Sequence, residues 1–311
     1  MIIDSFDPER IKASAQARVD YQPGNNELTF EVIAFDSDSR YSLEMNTAMT
    51  ASIRPIGDLL REWRQRRRYS QLALAYDAEI SPKHLSFVES GRAKPSREML
   101  MHLAERLAVP LRERNVLLLS AGFAPVFAER PLDHQDLASV RQAVNLILRG
   151  HEPFPALALD RHWNMVAANS GVAPLLVEVA TSLLEPPVNV LRLSLHPDGL
   201  APSIANLAQW RAHLFSRLRQ QIELSADPAL ISLLKELQGY PSPVGLDASY
   251  VGENDSRDVV VPFRLRTKGG MLSFISTTMV FGTPVDITSS ELAIESFFPA
   301  DSETASVLTR I

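Results

Sequence analysis

One stretch of this 311-residue chain constrains its fold more than any other: Gln71 to Arg92, QLALAYDAEISPKHLSFVESGR. It reads as a helix, a tight turn and a second helix. Ser70 is a good N-cap, and Gln71 to Ala78 is dominated by strong helix formers. Leu74 and Ala78 share a helix face, and Ala75 falls on the inner side of the bend, where a larger side chain would push the second helix away. Ser81 followed by Pro82 is a second start signal, a capping hydroxyl and then proline at the first helical position. Leu85 and Val88 point inward, and Gly91 ends the helix where the chain must turn left-handed. Turned away from that core are Pro82, Lys83, Ser86, Phe87 and Ser90, with His84 at the boundary. This is the arrangement that sets an α-helix into the DNA major groove.

The flanks extend the pattern to five short helices. Ile56 to Arg67 is amphipathic, with Ile56, Leu59, Leu60 and Trp63 on one side and a basic cluster at Arg64 and Arg66 to Arg68. Ser96 caps a fourth helix carrying Met99, Leu100, Leu103 and Leu107; Pro110 stops it, and Leu111 to Ser120 forms a fifth, closed by Ala121-Gly122. Between Arg54 and Arg114 there are thirteen Lys/Arg against eight Asp/Glu, a net +5; with the whole chain at −6, the remainder carries −11. A basic module on an acidic protein fits docking on a specific polyanion and predicts salt-sensitive binding.

Residues 56–120, and above all the string ESGRAKPS from Glu89 to Ser96, resemble the Xre/Cro-type helix-turn-helix domain of phage and bacterial repressors. The resemblance implies an all-α, lambda-repressor-like fold. It also implies roles. Gln71 matches a residue that bonds phosphate and braces the recognition helix. Ser81, Pro82, Lys83, His84 and Phe87 lie where that helix meets DNA, with Pro82, Lys83 and Phe87 facing base edges. Arg92 and Lys94 match backbone clamps, and Arg64 and Glu89 a pair tying the first helix to the third. The departure is Glu79, where the bend usually holds glycine; a left-handed residue with a Cβ costs roughly 1–2 kcal/mol. The bland readings are that Phe87 packs against the second helix and that Arg66 to Arg68 form a solvated face.

Length allows two domains with real cores. With no cysteine, disulfides, zinc fingers and thiol nucleophiles are excluded. No apolar run approaches the ~20 residues that span a membrane, and the N-terminus does not read as a signal peptide, so the expectation is a cytoplasmic protein of bacterial style. Residues 1–54 are polar and aperiodic, with a strand hint only from Leu28 to Phe35; they read as a poorly ordered extension, either a flexible arm or the product of a mis-called start, since Met45 and Met49 lie just ahead of the helix-turn-helix. Residues 55–122 are the DNA-binding domain, 123–133 a proline-containing linker, and 134–305 a second domain of mixed character.

In that second domain, Leu137 to Leu148 reads as a helix, Pro155 to Asp160 and Asn164 to Asn169 as strands about a turn, and Val172 to Leu184 as a helix. Ile204 to Ile222 and Asp227 to Leu237 read as further helices. Val259 to Arg266 and Met271 to Val280 read as a hairpin about Gly269-Gly270, with Val261, Phe263 and Leu265 buried and Pro262, Arg264 and Arg266 wet. The strings RHWNMVAAN (161–169), NVLRLSLHPDGL (189–200), RLRTKGGMLSFIST (264–277), FGTPVDIT (281–288) and ESFFPAD (295–301) resemble the MmyB-like ligand-binding domain of bacterial regulators. That resemblance implies a PAS-like α/β fold holding an apolar ligand, fatty acids being the type known in the family. Trp163, Trp210, Phe215, Phe274 and Phe281 are the pocket candidates, with His213 and His196 placed for a carboxylate head group; the bland reading of each is core packing or a surface turn.

None of the seven histidines makes a metal spacing, and no nucleophile elbow, phosphate loop or dinucleotide fingerprint is present, so neither an enzyme nor a metal or cofactor is expected. The resulting expectation is a one-component transcriptional regulator, a homodimer on a double-stranded operator, sensing a small apolar ligand and without membrane association. The competing expectation keeps DNA binding and makes the C-terminal half a dimerisation or protein-interaction domain without metabolite.

Overall fold

Three serines set the frame of the first domain. Ser70, Ser81 and Ser96 accept hydrogen bonds from the backbone N–H of Ala73, His84 and Met99, so each satisfies an orphan donor at a helix start. The computed structural model describes residues 13–22, 27–36, 54–241, 260–282 and 284–309. Strands β1 (Ala13–Gln22) and β2 (Glu27–Asp36) come first and pair antiparallel, with Val19 opposite Phe30. This hairpin corrects the expectation of an extension without regular structure beyond 28–35. Residues 15–21 and 28–32 alternate apolar and polar in the sequence on either side of Pro23-Gly24-Asn25-Asn26, a period-2 signal weakened by the small size of the alanines. The proposed starts at Met45 and Met49 lie outside the described residues.

Helices α1 (Ile56–Arg66), α2 (Gln71–Asp77), α3 (Pro82–Glu89), α4 (Arg97–Arg106) and α5 (Leu111–Ser120) then form the five-helix bundle the pattern predicts. Leu60, Trp63, Leu74, Ala75, Leu85, Val88, Leu100, Leu103 and Leu117 form its core. Glu79 adopts the left-handed backbone expected at the bend, φ +52°, and Gly91 does so at +73°. Gly57 lets α1 and α3 touch, because a Cβ there would lie 2.6 Å from the Glu89 carbonyl oxygen.

The second domain opens with α6 (Ala138–Gly150), β3 (Ala156–Leu159) and β4 (Met165–Ala168), and continues with α7 (Val190–Leu195), α8 (Leu207–Ser225) and α9 (Pro228–Gln238). After residues 242–259, which lie outside the described part, come β5 (Phe263–Thr267), β6 (Gly270–Val280), α10 (Ile287–Ser290), β7 (Ala293–Pro299) and α11 (Ser302–Leu308). The five strands form one curled antiparallel sheet in the order β4-β3-β7-β6-β5, the PAS-like arrangement expected. One face packs Phe263, Leu265, Leu272 and Phe274 against α7, α8 and α9. On the other, α6 covers Ala156, Ala158 and Ile294 with Val144 and Leu148.

Three expectations for this domain need correction. The helix from Val172 to Leu184 is absent; only single 3₁₀ turns form at Ala173–Leu176 and Thr181–Leu183. Gly171 is pressed on the Pro153 carbonyl, and Ala180 is extended with its N–H donated to the Asp198 carbonyl, so the chain is drawn out of helical register between two anchors. In the hairpin the first strand starts at Phe263, and Pro262 is buried, its carbonyl taken by the Asn206 amide. At the C-terminus α11 runs to Leu308, past the boundary expected at 305, and Leu308 joins the main core.

The linker is a strap seated on both domains. The Asn115 side chain on α5 accepts from the N–H groups of Val126 and Phe127 and donates to the Phe127 carbonyl. Ala128 bridges to Asp286 in parallel fashion, the Arg130 guanidinium donates to Asp286, and Thr288 donates to the Arg130 carbonyl.

Candidate nucleic-acid interface and ligand cavity

The recognition helix is held from behind by one carboxylate. Glu89, at the end of α3, accepts from Arg64 through Nε at 2.6 Å and Nη2 at 2.9 Å, and from the Gln71 amide at 2.8 Å. Burial alone would push its pKa up; the hydrogen bonds from Arg64 and Gln71 outweigh that and hold it below the usual carboxylate value. The expected pair of Arg64 and Glu89 is thus a bidentate, buried one, and Gln71 takes the bracing part of its expected role. Arg61, not foreseen from the sequence, donates to the Glu89 carbonyl. Three helices therefore meet on the last turn of α3.

The opposite side of α3 is open. Pro82 and Lys83 are exposed, as are Arg92 and Lys94 beyond the helix end, and Ser81 is occupied in capping. Phe87 is half-buried, with Lys83 Nζ 5.6 Å and the Arg92 guanidinium 5.7 Å from its ring centroid. Its ring thus has two cations within cation–π distance, which the plain packing reading does not anticipate. His84 turns toward α4, its Nε2 at 3.2 Å from Met99 Sδ. Among the expected contact residues, then, Pro82, Lys83, Arg92 and Lys94 are exposed, with half-buried Phe87 beside Lys83 and Arg92.

The basic cluster at the end of α1 divides. Arg66 pairs with Glu62 one turn back. Arg67 donates to the carbonyls of Leu107 and Ala108 in its own domain, and to those of Glu223 and Leu224 at the end of α8 in the other. It caps two helix C-termini at once, where a cation complements both the orphan carbonyls and the dipole. A second junction forms at Arg112 on α5, which forks Glu129 of the strap and Glu291 of the second domain with four hydrogen bonds of 2.6–2.9 Å. Glu113 lies in the same cluster; burial pushes its pKa up, against the pull of Arg112 and Arg161.

A cleft of about 390 Å³ opens between β5, β6, the 3₁₀ turn at Ala173–Leu176 and α11. Its walls include Pro153, Leu175, Leu200, Leu265, Leu272 and Val307; Arg266 and Lys268 stand at the rim, and Lys268 reaches Glu178 across it at 3.4 Å. None of the seven pocket candidates lines this cleft. Trp210 and Phe274 are core, Trp210 donating its indole N–H to Ser194, and Phe215 lies behind them on α8. Phe281 packs on the α6 side of the sheet. His213 stacks on Trp210 at 5.3 Å, and burial depresses its pKa, which leaves it poorly suited to hold a charge for a carboxylate. His196 takes the turn role, its Nδ1 accepting from the Asp198 N–H. Trp163 lines a different, smaller cavity. Large aromatics are the side chains most easily buried, so they filled the core, while the cleft is walled by medium aliphatic residues and proline that carry no sequence signal of their own.

Among the described residues no group of His, Asp and Glu is placed to hold a metal ion, and no helix is long and apolar enough to cross a membrane.

Comparison with known proteins follows these two halves. The model of a helix-turn-helix domain family matches residues 55–117, and that of the MmyB-like transcription regulator ligand binding domain matches residues 140–311. No curated protein matches. Among solved structures, that of an RNA-binding Light-Oxygen-Voltage Receptor is similar at 10% identity over 96% of this chain and 83% of the other, with a TM-score of 0.22; nothing about fold or ligand follows at that score. The chain belongs to the MmyB-like transcription regulators, with a helix-turn-helix DNA-binding domain ahead of the family's ligand-binding domain.

Proposed function

We propose that this DNA-binding transcription regulator is a one-component sensor: a small amphiphile with an acyl chain and an anionic head, of which a fatty acid is the simplest, enters the cleft beside β5 and changes operator affinity. The observation that carries the reading is the cleft itself. Its volume of about 390 Å³ falls in the range of small-molecule sites, its walls are aliphatic, and Arg266 and Lys268 stand where a head group would emerge. The protein works in the cytoplasm as a homodimer, each recognition helix addressing one half-site. Coupling is a population shift, and only a ligand that binds the two domain arrangements unequally regulates anything.

Native mass spectrometry of the purified full chain, before and after addition of laurate, tests this. Bound acyl chains, lost on Leu200→Trp, support the sensor. A clean mass that laurate does not change sinks it. The second reading, an interaction domain without metabolite, draws on the exposed Ile275, Met279 and Phe298 on one side of the sheet. A clean mass together with a dimer disrupted by Ile275→Asp would favour it.

A further inference from the structure

A second cavity, of about 230 Å³, lies in the second domain beside its junction with the first, between the end of β3 at Leu159 and the last turns of α8. Its wall is largely apolar by area, with Trp163 in it, and carries the polar side chains of Asp160, Arg161, Arg217, Gln220, Thr278 and Glu291. Two guanidinium groups therefore face one small space. Arg217 is anchored, donating to Glu295 at 2.7 and 2.9 Å and to Thr278, with its guanidinium 4.8 Å from the Trp163 ring centroid. Arg161 is not. Among the described residues it donates no side-chain hydrogen bond; Asp227 lies 3.3 Å away without the geometry of one, and Glu291 is at 3.9 Å. Arg112, by contrast, is satisfied on both edges of its fork. A planar group with five donors and no acceptor in hydrogen-bond geometry, facing a cavity, is an incomplete site.

We infer that this cavity is a binding site for a small carboxylate of a few carbon atoms, its carboxylate completing the Arg161 fork beside Arg217 and its carbon atoms resting on Trp163. An oxyanion is favoured over a neutral ligand because Arg161 is a cation without a hydrogen-bonded acceptor among the described residues, while both carboxylates of the wall are taken: Glu291 accepts twice from Arg112, and Asp160 accepts from the Asn164 amide and from the N–H groups of His162 and Asn164. A chain as long as the one proposed for the cleft does not fit the volume. The site is independent of the acyl cleft, with which it shares no lining residue. Its position gives it a consequence. Glu291 is the second domain's hold on Arg112, and the carbonyl of Leu224, another lining residue, takes Arg67. An anion on Arg161 competes with its ion pairs to Asp227 and Glu291, and leaves Glu291 to Arg112 of the DNA-binding domain.

Titration calorimetry of the full chain with pyruvate and with propionate, and with propionamide as the neutral control, tests the inference. Binding of at least one acid and none of the amide is expected. Arg161→Gln should weaken it at least about tenfold, the size expected for a lost charge-assisted hydrogen bond, and Arg161→Lys less. Gln220→Trp, at an exposed position on the cavity wall that leaves the arginines in place, should also abolish binding, whereas Leu200→Trp in the acyl cleft should leave it unchanged. No heat with either acid, equal binding of the amide, or an affinity that both Arg161→Gln and Gln220→Trp leave intact overturns the inference.

Discussion

At the scale of single residues, Glu89 carries more of this protein than any other side chain. It is the buried acceptor on which α1, α2 and α3 converge, and removing it leaves the Arg64 guanidinium buried without a counter-charge. Breaking one side of such a pair costs about 3–5 kcal/mol. Glu89→Ala is therefore expected to lower the stability of the DNA-binding domain by that order, read by chemical denaturation of the full chain. The pH dependence has a definite sign. The carboxyl is held below its ordinary value in the folded state, so its contribution is present above the ordinary carboxylate range and fades as pH falls through the folded value. The gap between wild type and Glu89→Ala should narrow in acid; a gap constant with pH would show that packing and not ionisation sets it. Glu79 is the opposite case. Its φ of +52° is one that glycine adopts freely, so Glu79→Gly should stabilise by about 0.5–1 kcal/mol, the relieved strain being partly offset by the greater freedom of glycine in the unfolded chain.

At the scale of elements, α3 is a short helix whose two sides do different work: Leu85, Val88 and Glu89 bind it to the bundle, and Lys83 and Phe87 stay out. Lys83→Ala should flatten the preference among DNA sequences. Arg92→Ala should weaken all sequences alike and lower the salt slope by about one. Gel shifts with a selected site and a scrambled one, at several salt concentrations, separate the two; a parallel loss for both variants would place Lys83 on the phosphates. This half of the molecule was legible in the sequence because its signals are local: serine caps, Pro82 at a helix start, Gly91 at a helix end, and apolar residues at helical spacing. The sheet was legible wherever alternation was strong, as in Phe263 to Arg266. Ala13 to Tyr21 shows where that fails, since alanine carries little weight as an apolar residue. The span Val172 to Leu184 failed for another reason. Its composition suits a helix, but contacts made by Gly171 and Ala180 with distant residues override it. The cleft was not legible at all, because its lining comes from five separated stretches and no one of them is distinctive.

At the scale of the whole molecule, the domains are joined by groups that ionise. Arg67 caps α8, Arg112 holds Glu129 and Glu291, and Glu113 lies half-buried beside them without a salt bridge among the described residues. Helix α8 gives this junction reach. Its 19 residues span about 28 Å, with Asn206 bonded to Pro262 and Arg264 beside the cleft at one end and Arg67 at the other. Arg67→Ala is expected to leave DNA and laurate binding in place while reducing the effect of one on the other, measured as operator affinity with and without laurate. An unchanged laurate effect would place the coupling elsewhere. Glu113 supplies the last test, and its sign is the reverse of that for Glu89. Burial raises its pKa in the folded state, so the folded protein holds this proton more tightly than the unfolded chain does. Stability contributed here is greatest in acid, and falls as pH rises from the ordinary carboxylate value through the raised one. Glu113→Gln, which keeps the shape and carries no charge, should remove that part of the pH dependence and make the folded protein more stable than wild type at neutral pH. A variant less stable than wild type at neutral pH would mean that ionised Glu113 is drawn to Arg161 and Arg112 strongly enough to outweigh its burial.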